Sequence, residues 1–161
     1  MIRAVVLTIS DSAARGERED RSGPALREFM EAQGWSVAVP IEVLPDDVDR
    51  IAGRLIALAD SGDFDVIVTT GGTGVAARDV TPEATARVVD RQIPGIAEVM
   101  RFEGRKSTPY AVLSRGIAGH RGRTPIVNVP GSPRGAVESL EAIAALIPHV
   151  IALLHGNTKH D

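Results

Sequence analysis

The chain has 161 residues, 43% of them hydrophobic and 3% aromatic, with a formal net charge of −3 and no cysteine. Its size and hydrophobic fraction fit a single domain over residues 1–161 with a proper core, not a disordered chain. The acidic balance and the shortage of aromatics argue against a nucleic-acid surface. Without cysteine there are no disulfides, zinc-thiolate sites or thiol nucleophiles.

The opening MIRAVVLTISDSAARG lacks the apolar core and cleavage pattern of a signal peptide. The longest apolar run, Ala142 to Leu154, is broken by Pro148 and His149 and is too short to span a bilayer. A cytoplasmic protein with no membrane partner is expected.

Ile2 to Ile9 predicts a first strand, apolar almost throughout and so buried on both faces. It ends in Ser10-Asp11-Ser12. The charged segment Ala13 to Arg21 reads as a solvated loop or as an arm over a site. Ser22-Gly23-Pro24 opens a helix with Leu26, Phe29 and Met30 on one face and Gly34 as its stop. Trp35 to Leu44 alternates as a second strand, with Pro40 marking an edge or bulge. Pro45-Asp46-Asp47 leads into an amphipathic helix, and either aspartate suits its N-cap.

Phe64 to Val68 is a third buried strand, opening into Gly71-Gly72-Thr73-Gly74. Backbone without β-carbons can approach a ligand closely there and present N–H groups to an anion. Asp79 follows, and Thr81-Pro82-Glu83 then opens a helix with threonine as N-cap. The spacing is neither GxGxxG nor a P-loop, so alone it marks a possible phosphate site or an ordinary turn. A helix from Pro94 to Met100 comes next, then a possible hairpin over Gly116–Arg123 and a last buried strand, Pro125 to Val129. Pro130-Gly131-Ser132-Pro133 is a second strand-to-helix turn, and the final long helix runs from Arg134 to Ile147.

Alternating strands and helices predict an α/β fold with a mostly parallel sheet and helices on both faces. Ligands bind such sheets at the carboxyl ends of the strands. Ser10–Ser12, Asp46, the loop 71–79 and the turn 130–133 all follow predicted strands and converge on that rim. Amides at the glycine loop and at the helix starts favour phosphates. Asp46 and Asp79 beside a polyphosphate call for a hard cation between them, Mg²⁺ by its oxygen chemistry. A nucleotide with magnesium is the economical ligand, and phosphoryl or nucleotidyl transfer needs no protein nucleophile. His120, His149, His155 and His160 show no ligand spacing, and no GxSxG elbow is present. Arg15, Arg18 and Arg21 read as a solvated face, with a phosphate clamp as the alternative.

The segments TISDS (8–12), EDRSGPAL (19–26), TTGGTG (69–74), RDVTPEAT (78–85), LSR (113–115) and IVNVPGSPRG (126–135) resemble the Mog/MoaB domain proteins of molybdenum cofactor synthesis. The likeness covers nearly the whole chain. GIAGHRGRTPIVNVPGSPRG is especially similar to the adenylyltransferase domain of gephyrin, while the glycine motifs of molybdate-inserting and competence-damage-type domains are not matched. The resemblance implies a three-layer α/β/α sandwich and a molybdopterin adenylyltransferase that consumes ATP with Mg²⁺ and releases pyrophosphate. It implies Asp46 and Asp79 as the essential, metal-holding acids. Ser10, Asp11, Thr70, Gly71, Gly72, Thr73, Gly74, Pro130, Gly131 and Ser132 would hold the nucleotide, and Ser107, Ser114 and Arg115 would stand on the pterin side. It further implies a homotrimer, or a hexamer in the MoaB branch, and hand-over to a molybdate-insertion protein. A non-catalytic paralogue that binds pterin or nucleotide without turnover is the alternative, and a generic nucleotide-dependent phosphotransferase a third reading.

Overall fold

The computed structural model describes residues 1–159; His160 and Asp161, the end of the expected polar tail, lie outside the described residues. Strand β1 (Arg3–Ile9) is flanked by β4 (Val66–Thr70) and, beyond it, β7 (Thr124–Val129), all three parallel. Ala4 stands opposite Val66, and Thr8 opposite Thr70, so the strands end level with one another. On the far side, β6 (Ala118–Arg121) runs antiparallel to β7, and β5 (Arg91–Gln92) antiparallel to β6. The hairpin expected over Gly116–Arg123 is thus the β6–β7 turn, with Gly122 at φ +54°.

The other edge departs from expectation. In place of one strand over Trp35–Leu44, β2 (Ser36–Val37) and β3 (Glu42–Leu44) pair in turn with β1. Pro40, in a cis peptide bond with Val39, separates them. Proline has no N–H to offer β1, so the ladder is interrupted there.

Alternate residues of each central strand feed opposite layers. Ala4, Val6, Val66, Val68, Val127 and Val129 pack under helices α2 (Ser22–Ala32), α5 (Pro94–Gly104) and α6 (Pro133–Ile143), which contribute Leu26, Met30, Ile96, Met100 and Leu140. Val5, Leu7, Ile9, Ile67 and Ile126 pack under α3 (Val48–Ser61) and α4 (Thr81–Val88), with Ile51, Leu55 and Val88. Each such valine, leucine, isoleucine or methionine side chain removed from water stabilises the fold by about 1.5–3 kcal/mol. The result is the expected three-layer α/β/α sandwich.

Three further differences are local. A short helix α1 (Asp11–Ala14) forms where the charged loop was expected to begin. Helix α5 runs on to Gly104 and does not stop at Met100. The last long helix ends as α6 at Ile143, passes through a 3₁₀ turn (Ala144–Leu146) and resumes as α7 (Ile147–Leu154), with Pro148 in its first turn, where no N–H is required. Taken together, Pro133–Leu154 is 22 residues long with a hydropathy of 1.8, apolar enough by length and composition alone to cross a membrane. Its apolar content has a role in the core, because Ala136, Leu140, Ile143 and Ile147 are fully buried against the sheet.

Candidate active site

The carboxyl ends of β1, β3, β4 and β7 meet on one rim. Ser10 N–H donates to Leu44 O (2.8 Å), joining the ends of β1 and β3. Ser10 also caps α1, its hydroxyl accepting from Ala13 N–H (3.2 Å). Asp47 is the N-cap of α3, accepting from Arg50 N–H (3.0 Å). That settles the choice between the two aspartates: Asp46 is left outside the helix and turns to the rim. There it exchanges hydrogen bonds with Asp11. Asp11 N–H donates to Asp46 Oδ2 (3.0 Å), and Asp46 N–H donates to Asp11 Oδ1 (2.8 Å).

The glycine loop is pinned where it leaves β4. Gly71 (φ +101°) and Gly72 (φ +67°) hold a left-handed backbone that other residues resist. A Cβ on Gly71 would strike Ile9 O, and one on Gly131 would stand 3.2 Å from the Gly71 Cα. Three turns therefore touch backbone to backbone. Thr70 Oγ1 also donates to Pro130 O (2.7 Å). Gly71 N–H is committed to Val129 O (3.1 Å), so among the described residues only the N–H groups of Gly72, Thr73 and Gly74 in this loop are left without a backbone acceptor, one fewer than expected. Thr81 is not the N-cap of α4 but its first residue, the cap position being Val80. Its N–H donates to Gly72 O (3.1 Å) and its hydroxyl to Gly71 O (3.0 Å), a latch that fixes the loop.

Asp79 stands at the far end of this loop, with Oδ2 accepting from Ala76 N–H (3.0 Å). A Cβ on Gly72 would come within 3.0 Å of Asp46 Oδ1, and one on Gly74 within 2.8 Å of Asp79 Oδ2. Each carboxylate therefore backs onto a glycine of the loop and keeps one oxygen, Asp46 Oδ1 or Asp79 Oδ1, without a hydrogen bond among the described residues. Burial pushes the Asp46 carboxyl above its usual range; the charges of Asp11 and Asp79 add to this, and the Asp11 N–H and Arg78 oppose it.

Two cavities open here. The polar one, about 360 Å³, takes in Ser10, Asp11, Asp46, Thr70, Gly71, Gly72, Asp79 and Gly131. The apolar one, about 380 Å³, lies between the loop, α5 and the start of α6, and takes in Thr73, Gly74, Met100, Leu113, Ser114 and Pro130. Ser132, which caps α6 by accepting from Gly135 N–H (3.1 Å), borders both.

Of the expected pterin-side residues, only Ser114 lines the apolar recess. Ser107 lines neither cavity; its hydroxyl, after Arg134, helps to hold the Glu138 carboxyl below its usual range. Arg115 lines neither cavity.

Sequence reasoning passed over two contributors, Arg78 and Asn128. Arg78 borders the polar cavity, and the signal was a cation directly before Asp79. Arg15, Arg18 and Arg21, for which the sequence left a phosphate clamp as the alternative to a solvated face, border it too, with Arg15 paired with Glu17 (3.1 Å). Asn128, 1% exposed, donates to Thr69 Oγ1 (2.9 Å) and Thr85 Oγ1 (3.0 Å) and accepts from Ile117 N–H (3.1 Å). It lines the apolar cavity; a polar residue in a buried strand was the clue.

A doubly wound α/β sheet, with a glycine loop and two carboxylates over a divided crevice, defines the class of proteins that hold a phosphorylated ligand at the carboxyl edge. Within that class the chain belongs to the molybdenum cofactor biosynthesis family, whose model, described as a probable molybdopterin binding domain, matches residues 5–149. A molybdopterin adenylyltransferase of Helicobacter pylori is 42% identical over 153 residues, covering 94% of this chain and 87% of its own length. The molybdopterin adenylyltransferase of Escherichia coli is 36% identical, with 96% and 86% covered. The solved structure of the molybdopterin biosynthesis enzyme MoaB from Thermus thermophilus matches with a TM-score of 0.90 at 49% identity, over 97% of this chain and 98% of that one.

Proposed function

We propose that this protein transfers the adenylyl group of ATP to molybdopterin and releases pyrophosphate. The observation that carries the reading is the pair of carboxylates, Asp46 and Asp79, each set against a loop glycine with one oxygen open. Family membership and the names of the relatives support the choice of substrates.

The donor set fits magnesium. Among the described residues no group of three or more potential ligands forms, and Mg²⁺ is commonly held by one or two carboxylates together with waters and substrate phosphates. Bound by Asp46 and Asp79, it would supply the positive charge that offsets the triphosphate and the departing pyrophosphate. The amides of Gly72, Thr73 and Gly74 and the N-terminus of α6 at Ser132 hold phosphate oxygens. Ser10 and Asp11 shape the opposite wall of the polar cavity, and Ser114 faces the pterin in the apolar recess. No side chain acts as nucleophile. A phosphate oxygen of molybdopterin attacks the α-phosphorus, the new P–O bond forms, and the α–β bridging bond breaks with its electron pair going to pyrophosphate. The chain contributes position and charge.

The same reading takes the protein as a homotrimer that passes its product to a molybdate-inserting protein. Exposed Val99, Phe102 and Leu146 on α5 and the turn before α7 supply apolar surface for self-association.

Incubation with molybdopterin, ATP and MgCl₂ tests the reading. Adenylated molybdopterin and pyrophosphate, both lost on adding EDTA, are expected. Bound pterin with no product would instead make this a binding-only relative.

A further inference from the structure

Arg115 is the most heavily engaged side chain near the site, yet it faces neither cavity. Its N–H donates to Thr73 O (2.8 Å), its Nε to Gly74 O (2.7 Å) and its Nη2 to Asp79 O (2.8 Å). Nη1 meets both oxygens of Glu83 at 2.9 Å, in the first turn of α4. One residue thus grips the loop before and after its exposed tip, Val75–Arg78, and ties both ends to the helix that follows. The root of the grip is itself held. Arg101 of α5 donates to Ser114 O (3.3 Å) and Gly116 O (2.9 Å), the carbonyls on either side of Arg115.

Stability alone does not explain this arrangement. The Arg115 and Glu83 side chains are 39% and 48% exposed, and an ion pair so placed contributes little to folding. What the planar fork gives is direction: three donors fixed at set angles, which a lysine cannot reproduce. The carbonyl it grips on Asp79 belongs to a residue that lines the polar cavity together with Asp46. The carbonyls of Thr73 and Gly74 share peptide planes with the N–H groups of Gly74 and Val75, so the grip sets where those two amides point.

We propose that Arg115, held by Arg101 and paired with Glu83, is a positioning residue. It fixes the Asp79 carboxylate and the loop amides in the geometry that binds a metal–triphosphate, and it does not touch the pterin. This rests on the adenylyl-transfer reading.

The test compares wild type with Arg115→Lys, Arg115→Ala and Glu83→Gln. Binding of the non-hydrolysable α,β-methylene analogue of ATP, with MgCl₂, is measured by calorimetry beside thermal melts and pterin binding. Arg115→Lys and Arg115→Ala are expected to weaken analogue binding by about 10–100-fold, the range for residues that orient metal ligands. Glu83→Gln, which keeps an acceptor, is expected to fall between them and wild type. Pterin affinity is expected to be unchanged and melting to shift little, and the MgCl₂ needed for half-maximal binding to rise in step with the loss. Should Arg115→Ala fail to fold, Arg115→Lys and Glu83→Gln carry the same test. Unchanged analogue binding in the variants, or a loss confined to the pterin, overturns the proposal. A wild-type protein that binds no Mg·ATP analogue overturns the adenylyl-transfer reading beneath it.

Discussion

Asp11 and Asp46 each receive the other's backbone N–H on a side-chain oxygen, at 3.0 and 2.8 Å. This reciprocal pair locks the turn after β1 to the turn after β3 and aims Asp46 at the glycine loop. Asp11→Ala is expected to orphan the Asp46 N–H, cost about 1–3 kcal/mol of stability and lower turnover roughly 10–100-fold. Asp11→Asn keeps an acceptor oxygen and is expected to retain most of both. Chemical denaturation with steady-state kinetics checks the pair of variants; equal losses in the two would contradict a hydrogen-bonding role.

Asp46 carries an opposed effect on stability. Burial, reinforced by Asp11 and Asp79, raises its carboxyl in the folded protein, so the native state binds that proton more tightly than the unfolded chain does. Stability is therefore lost as pH rises from the unfolded carboxyl value, about 4, through the raised native one. Asp46→Asn is expected to melt higher than wild type at neutral pH in the absence of metal, with the gap closing in acid, and to lose activity. Melting curves across that range decide it; a lower neutral melting temperature would refute the sign.

Gly72 has no room for a side chain. Its φ of +67° disfavours other residues, and a Cβ would meet Thr81 Oγ1 and crowd Asp46 Oδ1 at 3.0 Å. Gly72→Val is expected to cost at least about 1–2 kcal/mol from backbone strain alone and to cripple ATP binding. Undiminished ATP affinity by calorimetry would rule out the close-approach role.

Much of this was legible in the residues. Ile2–Ile9 and Pro125–Val129 read as buried strands because a strand covered on both faces leaves a continuous apolar run. The convergence of 10–12, 46, 71–79 and 130–133 followed from each lying just past a strand. The remainder depended on contacts between distant segments. Pro40 read as an edge or bulge within one strand, and only the separate pairings of β2 and β3 with β1 show that it divides that strand in two; the short β5 is defined only by its pairing with β6. Thr81 has the chemistry of an N-cap, but the carbonyls of Gly71 and Gly72 claim it first. Arg115 carried a motif signal without a direction, and only its acceptors show that it turns away from both cavities.

Asn128, which lines the apolar cavity, makes three hydrogen bonds in a buried setting. Asn128→Ala leaves Ile117 N–H without that acceptor and Thr69 and Thr85 without their shared donor. A loss of roughly 2–4 kcal/mol by urea denaturation is expected. A cost under about 1 kcal/mol, the size of one ordinary hydrogen bond, would mean that the network is dispensable.

The most direct test of the central claim follows the adenylyl group itself. ATP labelled at the α-phosphate is mixed with MgCl₂, molybdopterin and either wild-type protein or Asp79→Asn, and the label is traced. The expected result is label on the pterin with wild type and none with Asp79→Asn, while that variant keeps its fold and its pterin binding. Equal transfer by both proteins would contradict the assignment of the crevice between Asp46 and Asp79 as the site of adenylyl transfer.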